Sequence, residues 1–359
     1  MPPIVSRSPF GRLPGGEQVE LFELHSTAGV VVRVSGYGGI IQSLLVPDRH
    51  GNVDDVVLGF DRLEQYVGDQ GFFGALIGRY ANRIRGGRFR LDGRDYTLPA
   101  NDHGNHLHGG PGGFHKVCWH VKPFSHEDGV VGLRLTRVSP HGEQGYPGRL
   151  DAEVTYTLDS NELAVDYVAR TDRPTPVCLT QHTYFNLAAD PSIDVLEHRL
   201  ELGAARFTPV DDTLIPTGEL ASVEGTPFDF RAATPIGERI GADHPQLALS
   251  AGYDHNFVLD GHGGAPVRAA RVHEPGSGRV LEVWTTEPGL QFYSGNYLDG
   301  SVRGKGGRRY GHHAGFCLEP QHFPDSPNRP DFPPCILRPG ERYHSRTVYR
   351  FGVDTGADA

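Results

Sequence analysis

The sequence predicts an all-β fold: one large antiparallel domain of the sandwich type, with few short helices. Three observations carry this. Apolar residues recur with a period of two in segment after segment, as half-buried strands require. The segments are rich in β-branched and aromatic residues and are bounded by Gly, Pro, Asp or Asn. Helical periodicity is confined to two short stretches, and no repeat, linker or composition shift divides the chain.

In chain order, VELFELHS (19–26), GVVVRVSG (29–36) and GGIIQSLLV (38–46) read as successive strands. DRLEQYV (61–67) predicts a short helix with Asp61 as N-cap, Glu64 three residues on, and Leu63, Tyr66 and Val67 on one face. GRFRLDGRDYTL (87–98) predicts a hairpin, because Asp92-Gly93 suits a two-residue type I′ turn. That turn pairs Leu91 with Arg94, Arg90 with Asp95 and Phe89 with Tyr96, giving one aromatic face and one face of opposite charges. AEVTYTL (152–158) and ELAVDYVAR (162–170) follow as strands. TPIGERI (234–240) suggests a second helix, with Thr234 as cap and Pro235 at its first position. GRVLEVWTTE (278–287), GLQFYSGN (289–296) and RTVYRFGV (346–353) complete the set. FCLE (316–319) begins as a strand, and six prolines between residues 320 and 334 predict that the chain leaves the sheet after Glu319 as an ordered, extended loop. Residues 1–16 form an N-terminal extension, 17–352 a single domain and 353–359 a tail.

The formal charge of -10, with no lysine or arginine cluster interleaved with aromatics, argues against nucleic acid or an anionic membrane as partner. No secretory signal and no run of 18 apolar residues is seen, so a soluble, cytoplasmic protein is expected. Cys118, Cys178, Cys317 and Cys335 are widely spaced without a C-x-x-C pair, which favours reduced thiols.

Several polar constellations stand out. Asn82 and Arg83 in GRYANRIRGGRF (78–89) sit where apolar sequence gives way to glycine, whereas Arg85, Arg88 and Arg90 read as a solvated turn. His106 and His108 in NDHGNHLHGGPGGFHKVCW (101–119) share a face if that segment is extended. Its glycines allow a close backbone approach to a ligand and deny the segment a helix, whereas a metal site needs histidines at helical or hairpin spacing with a second shell. His182 in CLTQHTYFNL (178–187) reads either as a satisfied half-buried histidine or as one presented to a pocket beside Tyr184. Asp254 in AGYDHNFVL (251–259) reads as a turn residue or a ligand-facing acid.

In order and wording, GRYANRI, LPAND with NHLHGG, QHTYFNL, GYDHNFVL, TTEPGLQFYSGN and LEPQHFPDSPNRPDFP followed by LRPGERY resemble the aldose 1-epimerase family. The resemblance runs from about residue 17 to about 352. It implies a large antiparallel β-supersandwich and an enzyme interconverting the α and β anomers of a free aldose, with no cofactor and no metal, working as monomer or homodimer. Position by position it implies Glu319 as general base, His182 as general acid and His108 as a support for the sugar. Arg83 and Asp254 are implied to hold sugar hydroxyls, with Asn82, Tyr184 and Gln291 as further pocket positions. Three alternatives stay open: a non-catalytic sugar-binding protein, a hexose-6-phosphate epimerase using Arg308 and Arg309 at the rim, and a glycosidase, for which Asp254 is the only obvious second acid beside Glu319.

Overall fold

A computed structural model describes residues 4–69, 71–261 and 263–354. The C-terminal strand ties distant parts of the chain together. Tyr343–Val353 lies in the middle of a nine-stranded antiparallel sheet, paired on one side with Glu162–Thr171 and on the other with Arg279–Thr285. The outer strands run from Arg279–Thr285 through Val267–His273 and Arg199–Leu202 to Thr234–Pro235. On the other flank they run from Glu162–Thr171 through Leu150–Asp159 and Val131–Ser139 to His120–Ser125. Two of the chain's last residues thus pair with partners far back in sequence, Thr347 with both Val165 and Thr285, and Tyr349 with both Leu163 and Val283.

Alternation does the rest. Along Leu150–Asp159, Leu150, Ala152, Val154, Tyr156 and Leu158 face the core while the intervening residues face outward. Against this layer packs a six-stranded sheet, ordered Tyr184–Phe185, Phe316–Gln321, Gly289–Tyr293, Asp254–Val258, Arg206–Phe207 and Ala221–Ser222. Its Phe257, Leu290, Phe292, Phe316 and Leu318 join Leu133, Val154 and Val165 in one continuous core. A five-stranded sheet from Ile4–Arg12 to Val53–Asp55 covers the N-terminal side. Every strand pairing among the described residues is antiparallel, except for one isolated bridge between Tyr80 and Cys178.

The hairpin forms in the predicted register, with Phe89 and Tyr96 stacked at 5.2 Å, Arg90 and Asp95 within 3.9 Å, and Asp92 and Gly93 both at positive φ. Four expectations need correction. The first helix spans Leu63–Gly68, and its start is set by Arg62, whose backbone N–H donates to the Gln65 side chain. Asp61 is drawn away to accept the Gly306 N–H at 2.8 Å. TPIGERI is not an α-helix. Thr234–Pro235 pairs with Arg199 and Leu200 at the sheet edge, and the Ile236 and Gly237 N–H groups donate to His198 and Leu196, so tertiary partners displace a local helix. The second α-helix is Pro245–Ser250 instead, capped by His244, whose ring accepts the Gln246 N–H.

The third correction concerns Pro320. The strand continues through it to Gln321, with Pro320 opposite Leu290. The neighbour on the other side, Tyr184–Phe185, pairs only as far as Cys317, so Pro320 sits beyond the end of that neighbour, where a missing donor is tolerated. Fourth, Ile4–Arg12 of the N-terminal extension forms a largely exposed edge strand on Gln18–His25. Residues 1–3 and 355–359 lie outside the described residues. The cysteines are free thiols, with Cys178 and Cys317 buried among apolar side chains.

Candidate active site

Strand ends and two left-handed turns converge on a cavity of about 380 Å³. Phe316–Gln321 is buried along its whole length and delivers Glu319, only 2% exposed, into the cavity wall. One carboxylate oxygen, Oε1, lies 3.7 Å from His182 Nε2. The other, Oε2, has no protein partner. Burial, reinforced by the nearby Asp254 carboxylate and opposed by Arg83, pushes the Glu319 carboxyl well above its ordinary range.

His182 ends the short strand Thr180–His182, which pairs with Ala75–Ile77. Its backbone N–H donates to Gln181 Oε1 at 3.1 Å, and its Nδ1 contacts Cys317 Sγ at 3.6 Å, leaving Nε2 toward Glu319. Phe72 stacks on the ring at 5.7 Å and Tyr184 lies at 5.1 Å. Burial pushes this imidazole down to about 4. Burial thus disfavours the charged form of both partners.

His108 is placed by its backbone. Asn82 and His108 both adopt positive φ and exchange contacts: the His108 N–H donates to Asn82 O, and the Asn82 N–H donates to His108 Nδ1, each at 3.1 Å. Gly109 follows at φ +80°, where a Cβ would lie 1.8 Å from the Gly78 carbonyl oxygen, so only glycine fits. Burial keeps the His108 ring neutral. Because Nδ1 accepts, the ring proton is on Nε2, which makes His108 a hydrogen-bond donor. His106, which shared its predicted face, instead contacts Pro99 O and the Tyr146 hydroxyl, since the left-handed turn at His108 breaks the extended geometry.

Arg83 Nε donates to Asp102 Oδ2 at 2.8 Å, and its Nη1 is 3.8 Å from Asp254 Oδ2. The proline-rich loop fixes this arginine from behind: the Asp325 N–H donates to Arg83 O, and Asp325 Oδ1 accepts the Arg85 N–H. Asp254 opens the strand Asp254–Val258. Burial raises its carboxyl and Arg83 opposes the rise.

Of the residues expected from sequence, His182, Glu319, Asn82, Arg83, His108, Tyr184 and Asp254 all line this one cavity. Gln291 does not. It sits mid-sheet opposite both Asn256 and Glu319, and its amide Nε2 donates to Asp254 Oδ1 at 2.7 Å, which orients that carboxylate. Sequence reasoning missed Phe72, Asp102, Tyr293 and Tyr297, which also line the cavity. Asp102 lay within the motif LPAND, whereas nothing local marks Phe72, whose positive φ swings its ring among His108, His115 and His182. Arg308 pairs with Asp190 and Arg309 with Gly300 O, and neither lines the cavity.

Ligand atoms of His108, His182 and Glu319 lie within 4.8 Å of one another, a spacing a metal ion accepts. The tautomer opposes it. The His108 nitrogen that faces away from Asn82 carries the ring proton, and moving that proton to Nδ1 sets it against the Asn82 N–H. A ring locked as donor suits a hydroxyl or ring oxygen.

Directional polar groups in a cleft with aromatic walls describe a sugar site, and comparison with known proteins agrees. The family model for aldose 1-epimerase matches residues 20–350. Human galactose mutarotase is 49% identical, over 97% of this chain and 99% of its own, and the aldose 1-epimerase of Escherichia coli is 42% identical, over 94% and 96%. The crystal structure of galactose 1-epimerase from Lactobacillus acidophilus superposes with a TM-score of 0.85 at 28% identity, over 98% of this chain and 99% of that one. With the match extending across almost the whole chain in sequence and in fold, this chain belongs to the aldose 1-epimerase family.

Proposed function

We propose that Glu319 and His182 are the acid–base pair with which this isomerase interconverts the α and β anomers of a free aldose such as galactose or glucose. The observation that carries the proposal is the 3.7 Å approach of a buried carboxyl and a buried imidazole in a cavity lined by Arg83, Asp254 and His108. Opening the hemiacetal takes the proton from the anomeric hydroxyl, forms the C1 carbonyl, breaks C1–O5 and protonates O5. Rotation about C1–C2 and closure reverse each transfer on the other face. Bound hydroxyls donate to the unpartnered Glu319 Oε2, stabilise the carboxylate and move its proton to His182. Glu319 then acts as base at O1 and His182 as acid at O5. His108 donates from Nε2 to a sugar oxygen, and Arg83, Asp254 and Asn82 hold hydroxyls. Tyr184, with Phe72, covers apolar C–H surface.

Residues 17–352 act as one domain in this scheme, a view supported by the central pairing of the C-terminal strand. We place the enzyme in hexose metabolism in the cytoplasm. No described helix is long and apolar enough to cross a membrane. A phosphosugar epimerase is less well supported, because Arg308 and Arg309 are engaged away from the cavity. A sugar-binding protein without catalysis has no use for an acid–base pair.

Freshly dissolved α-D-galactose, followed by polarimetry, is expected to reach anomeric equilibrium far faster with the protein, and to the same extent after EDTA treatment. Acceleration lost to EDTA and restored by zinc would establish a metal at His108, His182 and Glu319 instead.

A further inference from the structure

A second cluster of ionisable groups lies beneath the cavity and does not line it: Glu287, His322, Tyr343 and Cys178. Glu287 is 3% exposed, and its Oε2 accepts from His322 Nδ1 at 2.7 Å. Its other oxygen, Oε1, accepts the Tyr343 hydroxyl at 3.1 Å, and that hydroxyl accepts the Leu179 N–H at 3.2 Å. The His322 backbone N–H donates to Cys178 Sγ at 3.2 Å, which closes the ring of contacts. Burial alone lowers the His322 imidazole, but the adjacent carboxylate outweighs it and holds the ring protonated, so this is a buried ion pair.

Such a pair adds little to stability, because desolvation offsets most of the attraction. Its position is more informative. His322 follows Glu319 by three residues, Leu179 precedes His182 by three, and Glu287 precedes Gln291 by four. One carboxylate thus ties the roots of the strands that carry the base, the acid and the group that orients Asp254. On one side of the pair the two segments are tied directly, Tyr184 lying opposite Cys317, two residues from His182 and from Glu319. On the other side Thr180–His182 pairs with Ala75–Ile77 and Phe316–Gln321 with Gly289–Tyr293, and there the Glu287 cluster joins Leu179 to His322.

We infer that the Glu287–His322 ion pair, with Tyr343, is a positioning clamp that sets the separation of Glu319 and His182. The clamp acts first on the proton-transfer geometry, because Arg83, Asn82 and His108 hang from other segments and Asp254 is reached only through Gln291. The inference rests on Glu319 and His182 being the reacting pair. Cys178, Glu287 and His322 also have ligand atoms within 4.8 Å of one another, as a metal ion requires. Here, though, His322 Nδ1 already donates to Glu287, so the cluster is satisfied without a metal.

The test is steady-state kinetics on Glu287→Gln, well below its melting temperature. A fall in kcat of roughly ten- to a hundredfold is expected, with KM for galactose unchanged, as a small misplacement of reacting groups produces. Glu287→Gln/His322→Gln, where two neutral amides span the same gap, is expected to recover most of that kcat, the mark of coupled partners. Tyr343→Phe removes one contact without a charge and is expected to lie between. A merely structural pair would lower the melting temperature and leave kcat at the wild-type level, which overturns the inference. So would stoichiometric zinc in the purified protein that disappears in His322→Gln. Wild-type activity in Glu319→Gln defeats the assignment of the reacting pair. An inactive Glu319→Gln beside a fully active Glu287→Gln defeats only the clamp.

Discussion

Glu319→Gln is expected to lose roughly 10²- to 10⁴-fold in kcat, the share of a positioned general base, while keeping its fold and melting above wild type at pH 7. An amide fills the same volume but cannot take the anomeric proton. The stability gain follows from burial. Unfolded, this carboxyl ionises near its ordinary value of 4.5, whereas folded it stays protonated well above that. Between those values the folded chain binds more protons than the unfolded one, so stability falls as pH rises. Glutamine removes that loss. Thermal melts from pH 4 to pH 8 alongside kcat check both halves. Near-wild-type turnover would remove Glu319 from the chemistry, and a variant less stable at pH 7 would reject the buried, protonated state.

His182→Asn is expected to cost a similar factor, roughly 10²- to 10⁴-fold in kcat, with KM little changed because the sugar is held by Arg83, Asp254 and His108. Asparagine can neither accept a proton nor deliver one to O5. In the wild type, burial holds the imidazole down to about 4, so kcat/KM should fall as pH drops through that value, where the ring gains a proton. The sign for stability is opposite to that of Glu319. The unfolded histidine protonates from pH 6.5 downward while the folded one resists until about 4, so the wild type loses stability as pH falls across that window. The variant is spared this component. An acid limb near 6.5 in wild-type kcat/KM would show an exposed imidazole instead.

Local rules read the fold well where a strand's partner is its neighbour in sequence. The hairpin 88–97 is specified by its own turn and cross-strand pairs, and it forms in that register. They failed where a distant segment decided the outcome. TPIGERI has helix-starting chemistry, but Leu200, His198 and Leu196 claim its backbone. Pro320 reads as a strand breaker, yet the neighbour that would need its N–H stops at Cys317. The site followed the same division. Glu319, His182 and Arg83 are far apart in sequence, and each alone had an ordinary structural explanation. Only the family resemblance joined them before the fold did. Gln291 lies behind Asp254 in the structure, because the same motif supplies both cavity wall and the layer behind it. Sequence alone does not say which side of Asp254 an amide occupies.

Proton traffic confined to oxygens is the central claim, and NMR in heavy water tests it most directly. Fresh α-D-galactose in heavy water should reach its anomeric equilibrium far faster with the enzyme than without, and the recovered sugar should carry no deuterium on any carbon. Deuterium at C2, or conversion to a different aldose, would mean that a C–H bond is broken and would contradict ring opening by Glu319 and His182.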